Sequence, residues 1–135
     1  MNNQFAIAIK CVVFCDERVL LLKKSQDEKK GDACESNWDL PGGRVAYGES
    51  PEETAKREML EETFLKIEDL TLKSTSTVIR PDKLHLLLLN YKCLCKDKNV
   101  KLSDEHIYYA WLSLEEIEKE VTIPDWIKRT IIACR

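Results

Sequence analysis

Gly43-Arg44-Val45-Ala46-Tyr47-Gly48-Glu49-Ser50-Pro51-Glu52-Glu53-Thr54-Ala55-Lys56-Arg57-Glu58-Met59-Leu60-Glu61-Glu62-Thr63-Phe64-Leu65 is the stretch that decides how this 135-residue chain is read. Its second half holds the clearest helix in the sequence. Ser50 suits the N-cap and Pro51 the first helical position, and Glu53 completes a capping box with Ser50. The pattern predicts a helix from residue 50 to about residue 63. Just upstream, Pro41-Gly42-Gly43 stops regular structure and requires a specific turn. The two glycines also allow backbone to approach a ligand or another segment closely.

The charge pattern of this helix is unusual. Glu58, Glu61 and Glu62 stand at i, i+3 and i+4, which brings all three carboxylates to one face. Like charges so placed weaken a helix slightly, so a purely structural helix gains nothing from them. Hard divalent cations such as Mg²⁺ take oxygen ligands, often a few carboxylates together with phosphate oxygens and water. Three carboxylates on a rigid helix suit that need, although these three alone also fit a solvated acidic face. Arg57 has Glu53 four residues before it and Glu61 four residues after it. It can pair with either, and so hold Glu61 in place. Glu49, just ahead of the helix, can reach the same region.

These residues carry a family resemblance. Gly43, five residues, Glu49, seven residues, then Arg57-Glu58-Met59-Leu60-Glu61-Glu62-Thr63-Phe64-Leu65 resembles the Nudix box, with every charged position at the required spacing. The resemblance implies an α/β fold, a Nudix-type α/β/α sandwich with a mixed β-sheet, in which the box forms a loop–helix–loop. Residues 1–135 would then be a single Nudix hydrolase domain. The activity implied is metal-dependent hydrolysis of a phosphoanhydride bond in a nucleoside diphosphate linked to another moiety, with Mg²⁺ as cofactor and Mn²⁺ as its substitute. Carried over by position, Glu58, Glu61 and Glu62 are metal-ligand candidates. Glu49 assists directly or through water, and the backbone near Gly42 and Gly43 completes the site or holds the loop. Arg57 would orient a glutamate, and Glu61, Arg57 and Glu58 form the catalytic group. Glu61 is the first candidate for general base. Glu105, in a loop ahead of a predicted strand, is the second, with plain surface charge as its other reading. One position departs from the pattern: Phe64 stands where the family has a glycine. The expectation is a locally different helix exit, with Phe64 turned into the core.

Substrate choice lies outside the box. Pro41-Gly42-Gly43 does not resemble the Pro-Lys-Gly variant linked to dinucleoside polyphosphates, and no downstream proline array of the kind linked to NADH or ADP-ribose is present. These absences lean towards a nucleoside triphosphate pyrophosphohydrolase of the MutT-like kind. The alternatives are a non-hydrolytic nucleotide-binding sensor on the same fold, and an isoprenoid diphosphate isomerase. The isomerase would need a reactive cysteine and acid pair that nothing in the sequence identifies. Trp38 can stack on a base or anchor a loop. Asp39 can hydrogen-bond a base edge or cap the turn. With Glu105 they complete the substrate-binding candidates.

The remaining chain frames this segment. Strands are predicted at residues 5–14, 19–23, 70–79, 84–95 and 107–112, with turns at 16–18 and 96–99. Residues 26–37 are polar and read as a surface loop. Ser113 with Glu116 forms a second capping box ahead of a short helix. Pro124 opens a last helix that gathers Trp126, Ile127, Thr130, Ile131 and Cys134 on one face. Strands and helices without regular alternation predict a mixed sheet covered by helices. With 44% apolar residues, 33% charged residues and a net charge of −3, the chain reads as an ordinary soluble domain without a broad basic face. A nucleic-acid polymer is therefore not an expected partner, whereas a small nucleotide is. The apolar run at residues 86–89 is too short to cross a bilayer, and the first ten residues do not read as a signal peptide. The expected setting is the cytoplasm, away from membranes, and a homodimer is left open. The six cysteines contain no CxxC pair and read as small buried hydrophobes.

Overall fold

The computed structural model describes residues 4–25 and 37–135. Its elements run β1 (Phe5–Cys15), β2 (Arg18–Lys24), β3 (Trp38–Asp39), β4 (Gly42–Arg44), α1 (Pro51–Thr63), β5 (Glu68–Ile79), β6 (His85–Leu94), β7 (His106–Ser113), α2 (Leu114–Lys119) and α3 (Asp125–Ala133). The surface loop expected at residues 26–37 falls almost wholly outside the described residues, as does Cys34.

Among the described residues one mixed sheet of seven strands carries the fold. β1 is its centre. It runs parallel to β6 over its whole length, from Phe5 opposite His85 to Phe14 opposite Leu94, and β6 pairs antiparallel with β5. On its other edge β1 meets β2 only at the hairpin end, Phe14 with Val19 and Cys15 with Arg18. The two strands then part. The segment from Trp38 to Arg44 fills the gap: β3 pairs with β2 through Leu22–Asp39 and Lys23–Trp38, and β4 pairs with β1 through Ile9–Gly43. β7 lies along the far edge of β2. The sequence marked 41–43 as a break in regular structure. In the fold the break lies between two short strands, because β3 and β4 each take one side of the cleft left by β1 and β2.

Strand periodicity sorts the core into two layers. Ile9, Cys11 and Val13 of β1 and Leu20 and Leu22 of β2 pack with Ala55 and Met59 of α1. The opposite residues, Val12, Val19 and Leu21, pack with Ile117 of α2 and Ile127, Ile131 and Cys134 of α3. The protein is thus an α/β/α sandwich, as the family resemblance implied. The five described cysteines, Cys11, Cys15, Cys93, Cys95 and Cys134, are all buried free thiols.

Helix α1 has the predicted start. Ser50 Oγ accepts the Glu53 N–H, and the Glu53 carboxylate accepts the Ser50 N–H, both at 3.1 Å. Its end corrects the expectation for Phe64. The residue does not turn into the core: it is 69% exposed and adopts the left-handed conformation, φ 67° and ψ 13°. The backbone keeps the geometry of a glycine helix stop because the Phe64 N–H still closes onto the Leu60 carbonyl at 3.1 Å. A side chain in that conformation costs about 1 kcal/mol. The Lys101 ammonium lies 5.6 Å from its ring centroid. Phe64→Gly is therefore expected to stabilise the protein by about 1 kcal/mol and raise Tm by a few degrees. An unchanged or lower Tm in calorimetry would show that the ring contact outweighs the backbone strain.

Candidate active site

The site is built where the β3–β4 wedge meets α1. Positions 55, 59 and 62 form one stripe of the helix and face the sheet, so Glu62 occupies what would otherwise be a core position. Only 3% of it is exposed. The Gly42 N–H points at both of its carboxylate oxygens, at 3.2 and 3.3 Å. Burial pushes the Glu62 carboxyl up to about 9, although Lys10 and the Gly42 N–H pull the other way. Burial also raises Glu58, outweighing the Arg57 charge beside it.

The two glycines are needed for contact rather than for flexibility. A Cβ on Gly42 would overlap the Ile9 carbonyl oxygen, and one on Gly43 would overlap the Glu58 carboxylate. The backbone of β4 therefore lies directly against β1 on one side and against the acidic face of α1 on the other.

Arg57 organises the exposed side of this face. Its Nε and Nη2 donate to the two oxygens of Glu49 at 2.6 and 2.9 Å, a bidentate pair. Nη1 donates to Glu58 at 2.9 Å and reaches Glu61 at 3.3 Å. Glu53, the other partner allowed by spacing, is instead occupied by the capping box. Glu49 also accepts from Thr54 Oγ1 at 2.8 Å and from the Ala46 N–H. Hydrogen bonds from Arg57, then Thr54 and Ala46, hold its carboxyl down at about 2. Glu61 is the loosest member, with 57% of its side chain exposed.

Glu105 arrives from elsewhere in the chain. The segment before β7 is laced to the end of α1: the Lys101 N–H donates to the Thr63 carbonyl at 3.0 Å, and the Ser103 N–H to the Glu62 carbonyl at 3.1 Å. These bonds place Glu105 beside Glu62. Donor atoms of Glu62, Glu105 and His106 all lie within 4.8 Å of one another.

Trp38 and Asp39 lie beneath this surface. Trp38 is buried, its Nε1 donates to Thr122 Oγ1 at 2.9 Å, and the Lys23 ammonium covers its ring at 4.5 Å. Asp39 is buried in an ion pair with Lys10 at 2.8 Å, and His106 Nε2 stands 3.7 Å from its other oxygen. Burial works against its charge, but Lys10, His106 and Lys24 outweigh that and hold it well below the usual carboxylate range. Its partners in the fold are thus Lys10 and His106. Lys10 and His106 were not singled out as site residues. Lys10 had a readable signal, a charge in the middle of an apolar strand. His106 had none beyond its place next to Glu105.

The comparisons with known proteins agree with this geometry. The NUDIX domain family model matches residues 4–133, so the chain belongs to the Nudix family and is a Nudix hydrolase. It is 28% identical over 119 residues to the nucleoside triphosphatase NudI of Escherichia coli, covering 81% of this chain and 83% of that protein. The crystal structure of the MutT protein from Methanosarcina mazei Go1 is 27% identical with a TM-score of 0.75, over 98% of this chain and 94% of that one. A MutT Nudix hydrolase from Burkholderia pseudomallei is 26% identical with a TM-score of 0.74, over 97% and 96%. Among the described residues no helix is long and apolar enough to cross a membrane.

Proposed function

We propose that this hydrolase is a nucleoside triphosphate pyrophosphohydrolase that depends on a divalent cation, Mg²⁺ with Mn²⁺ as a substitute, and releases a nucleoside monophosphate. The observation that carries the reading is the convergence of Glu58 and Glu62 on the backbone of Gly43 and Gly42, with Glu105 beside Glu62. The E. coli relative named as a nucleoside triphosphatase supports the substrate class.

The residues fit a hard cation. Burial of the Glu62 carboxylate is unfavourable even with Lys10 nearby, and a bound cation would offset it. Glu58, Glu61 and Glu62 would hold the ion, with Glu105 at the rim, Glu49 assisting through Arg57 or water, and the Gly43 backbone completing the cradle. When bound, the cation neutralises phosphate charge and lowers the pKa of water. The chain's own residues do the rest. Arg57 keeps the carboxylates in register through its three acidic partners, which supplies the positioning that phosphoryl displacement needs. Glu61, exposed and lightly held, is the first candidate to take the proton from the attacking water where it is not committed to the cation, and Glu105 is the second. Buried free thiols fit a reducing compartment such as the cytoplasm.

The test is a panel of nucleoside triphosphates, modified nucleotides, sugar nucleotides, ADP-ribose, NADH and dinucleoside polyphosphates, with products identified by mass spectrometry. Glu61→Gln is expected to keep the fold and lose about 100-fold or more in kcat. Near-normal turnover by that variant would reject Glu61 as the base, and Glu105→Gln then becomes the discriminating variant. Chelation is expected to abolish activity and Mg²⁺ to restore it; activity surviving exhaustive chelation would refute the metal role. Tight nucleotide binding with no turnover across the panel would favour a sensor.

A further inference from the structure

We propose that His106 is a nitrogen donor to the cation held by Glu62 and Glu105, and that it shifts this site's preference away from Mg²⁺ towards borderline cations such as Co²⁺. The inference rests on the metal-dependent reading above and deepens it.

Three observations carry it. First, a His106 ring nitrogen shares one cluster with carboxylate oxygens of Glu62 and Glu105, all within 4.8 Å. Ligands of one small cation stand at most roughly 4 Å apart, and rotation of the exposed Glu105 side chain covers the remainder. Second, the His106 side chain is only 4% exposed, and its Nδ1 has no hydrogen-bond partner among the described residues. A buried polar atom without a partner is costly and uncommon, so a group that completes it is expected. Third, the other ring nitrogen is turned towards a carboxylate, 3.7 Å away. Nε2 faces Asp39, whose carboxylate is fixed by Lys10 at 2.8 Å. Metal-ligating histidines almost always turn one nitrogen to such a carboxylate, which fixes the ring and leaves the other, here the unpartnered Nδ1, to ligate. The pair Lys10–Asp39 thus has a task beneath the site: it orients His106.

The selectivity follows from ligand softness. Carboxylates alone favour Mg²⁺ and Mn²⁺, whereas an imidazole favours cobalt, nickel and zinc over magnesium. A site with both donor types binds Mg²⁺ adequately and later first-row cations more tightly.

The test reads the metal rather than turnover. Mn²⁺ bound to the full-length protein is examined by pulsed electron paramagnetic resonance, with histidine either unlabelled or nitrogen-isotope-labelled. The chain has two histidines, and the other, His85, stacks on Phe5 at 4.9 Å. Expected is a directly coordinated imidazole coupling that changes with the label, persists in His85→Gln and disappears in His106→Gln. The labelled wild-type protein keeps the test decisive should His106→Gln fail to fold. By calorimetry, His106→Gln is expected to lower the ratio of Co²⁺ to Mg²⁺ affinity by about tenfold. Bound Mn²⁺ without imidazole coupling would overturn the role of His106 and leave the carboxylate site standing. No Mn²⁺ binding by the wild-type protein would overturn the metal reading itself.

Discussion

Glu62→Gln is expected to cost about 100- to 1000-fold in turnover and at the same time to make the metal-free protein more stable. The two effects have one cause. Glu62 is buried among protein groups and its carboxyl sits near 9, against an ordinary 4.5 in the unfolded chain. In the metal-free fold it therefore keeps its proton at pH 7, while the unfolded chain has released it. Unfolding between these values releases a proton, so stability falls as pH rises. The contribution is complete below about 4.5 and is lost progressively as pH rises through about 9. Glutamine resembles the protonated side chain and has no proton to lose. In EDTA at pH 8 the variant should melt several degrees above wild type, and the gap should close as pH approaches 5. Saturating Mg²⁺ should reverse the order, because only wild type gains stability from the bound ion. A variant that melts lower than wild type in EDTA at pH 8 would refute the strained carboxylate, and retained turnover would refute its role in catalysis.

Glu62 also marks the limit of what the sequence discloses. The spacing of Glu58, Glu61 and Glu62 shows that they share a helix face, but not how deep each lies. The depth is set by Ala55 and Met59, which place position 62 on the inner stripe and leave Glu61 outside. The strands, both capping boxes and both helical layers were legible because alternation and capping are local signals. The β3–β4 wedge was not, since two- and three-residue strands carry no periodicity and exist only because β1 and β2 diverge. Phe64 misled for a similar reason. An aromatic residue is read as a core residue, yet the helix stop fixed its backbone and left its ring in solvent. Of the Lys10–Asp39–His106 chain, Asp39 and the charge of Lys10 within an apolar strand were readable singly, but not their meeting. Its three members come from β1, β3 and β7, and only the register of the sheet brings them together.

The same wedge underlies the largest stability effect expected. Gly42→Ala puts a methyl group onto the Ile9 carbonyl oxygen, a backbone atom that cannot rotate away. Relief requires β4 to separate from β1, which breaks the pairing at Lys10–Gly42 and Ile9–Gly43 and withdraws the Gly42 N–H from Glu62. Overpacking in a fixed environment costs about 3 kcal/mol, and the glycine φ of 155° adds backbone strain. A fall in Tm of about 10 °C is expected for a domain of this size. Gly43→Ala should behave differently. Its new methyl group meets the Glu58 carboxylate, the end of a flexible side chain that can move. The Tm should fall far less, while turnover drops because Glu58 leaves the Arg57 fork and the acidic face loses its register. Thermal melts and kcat measured on both variants separate the two contacts. Equal losses of stability would mean that the acidic face of α1 is as rigid as the sheet. A Gly43→Ala enzyme with normal turnover would mean that the position of Glu58 does not matter for the reaction.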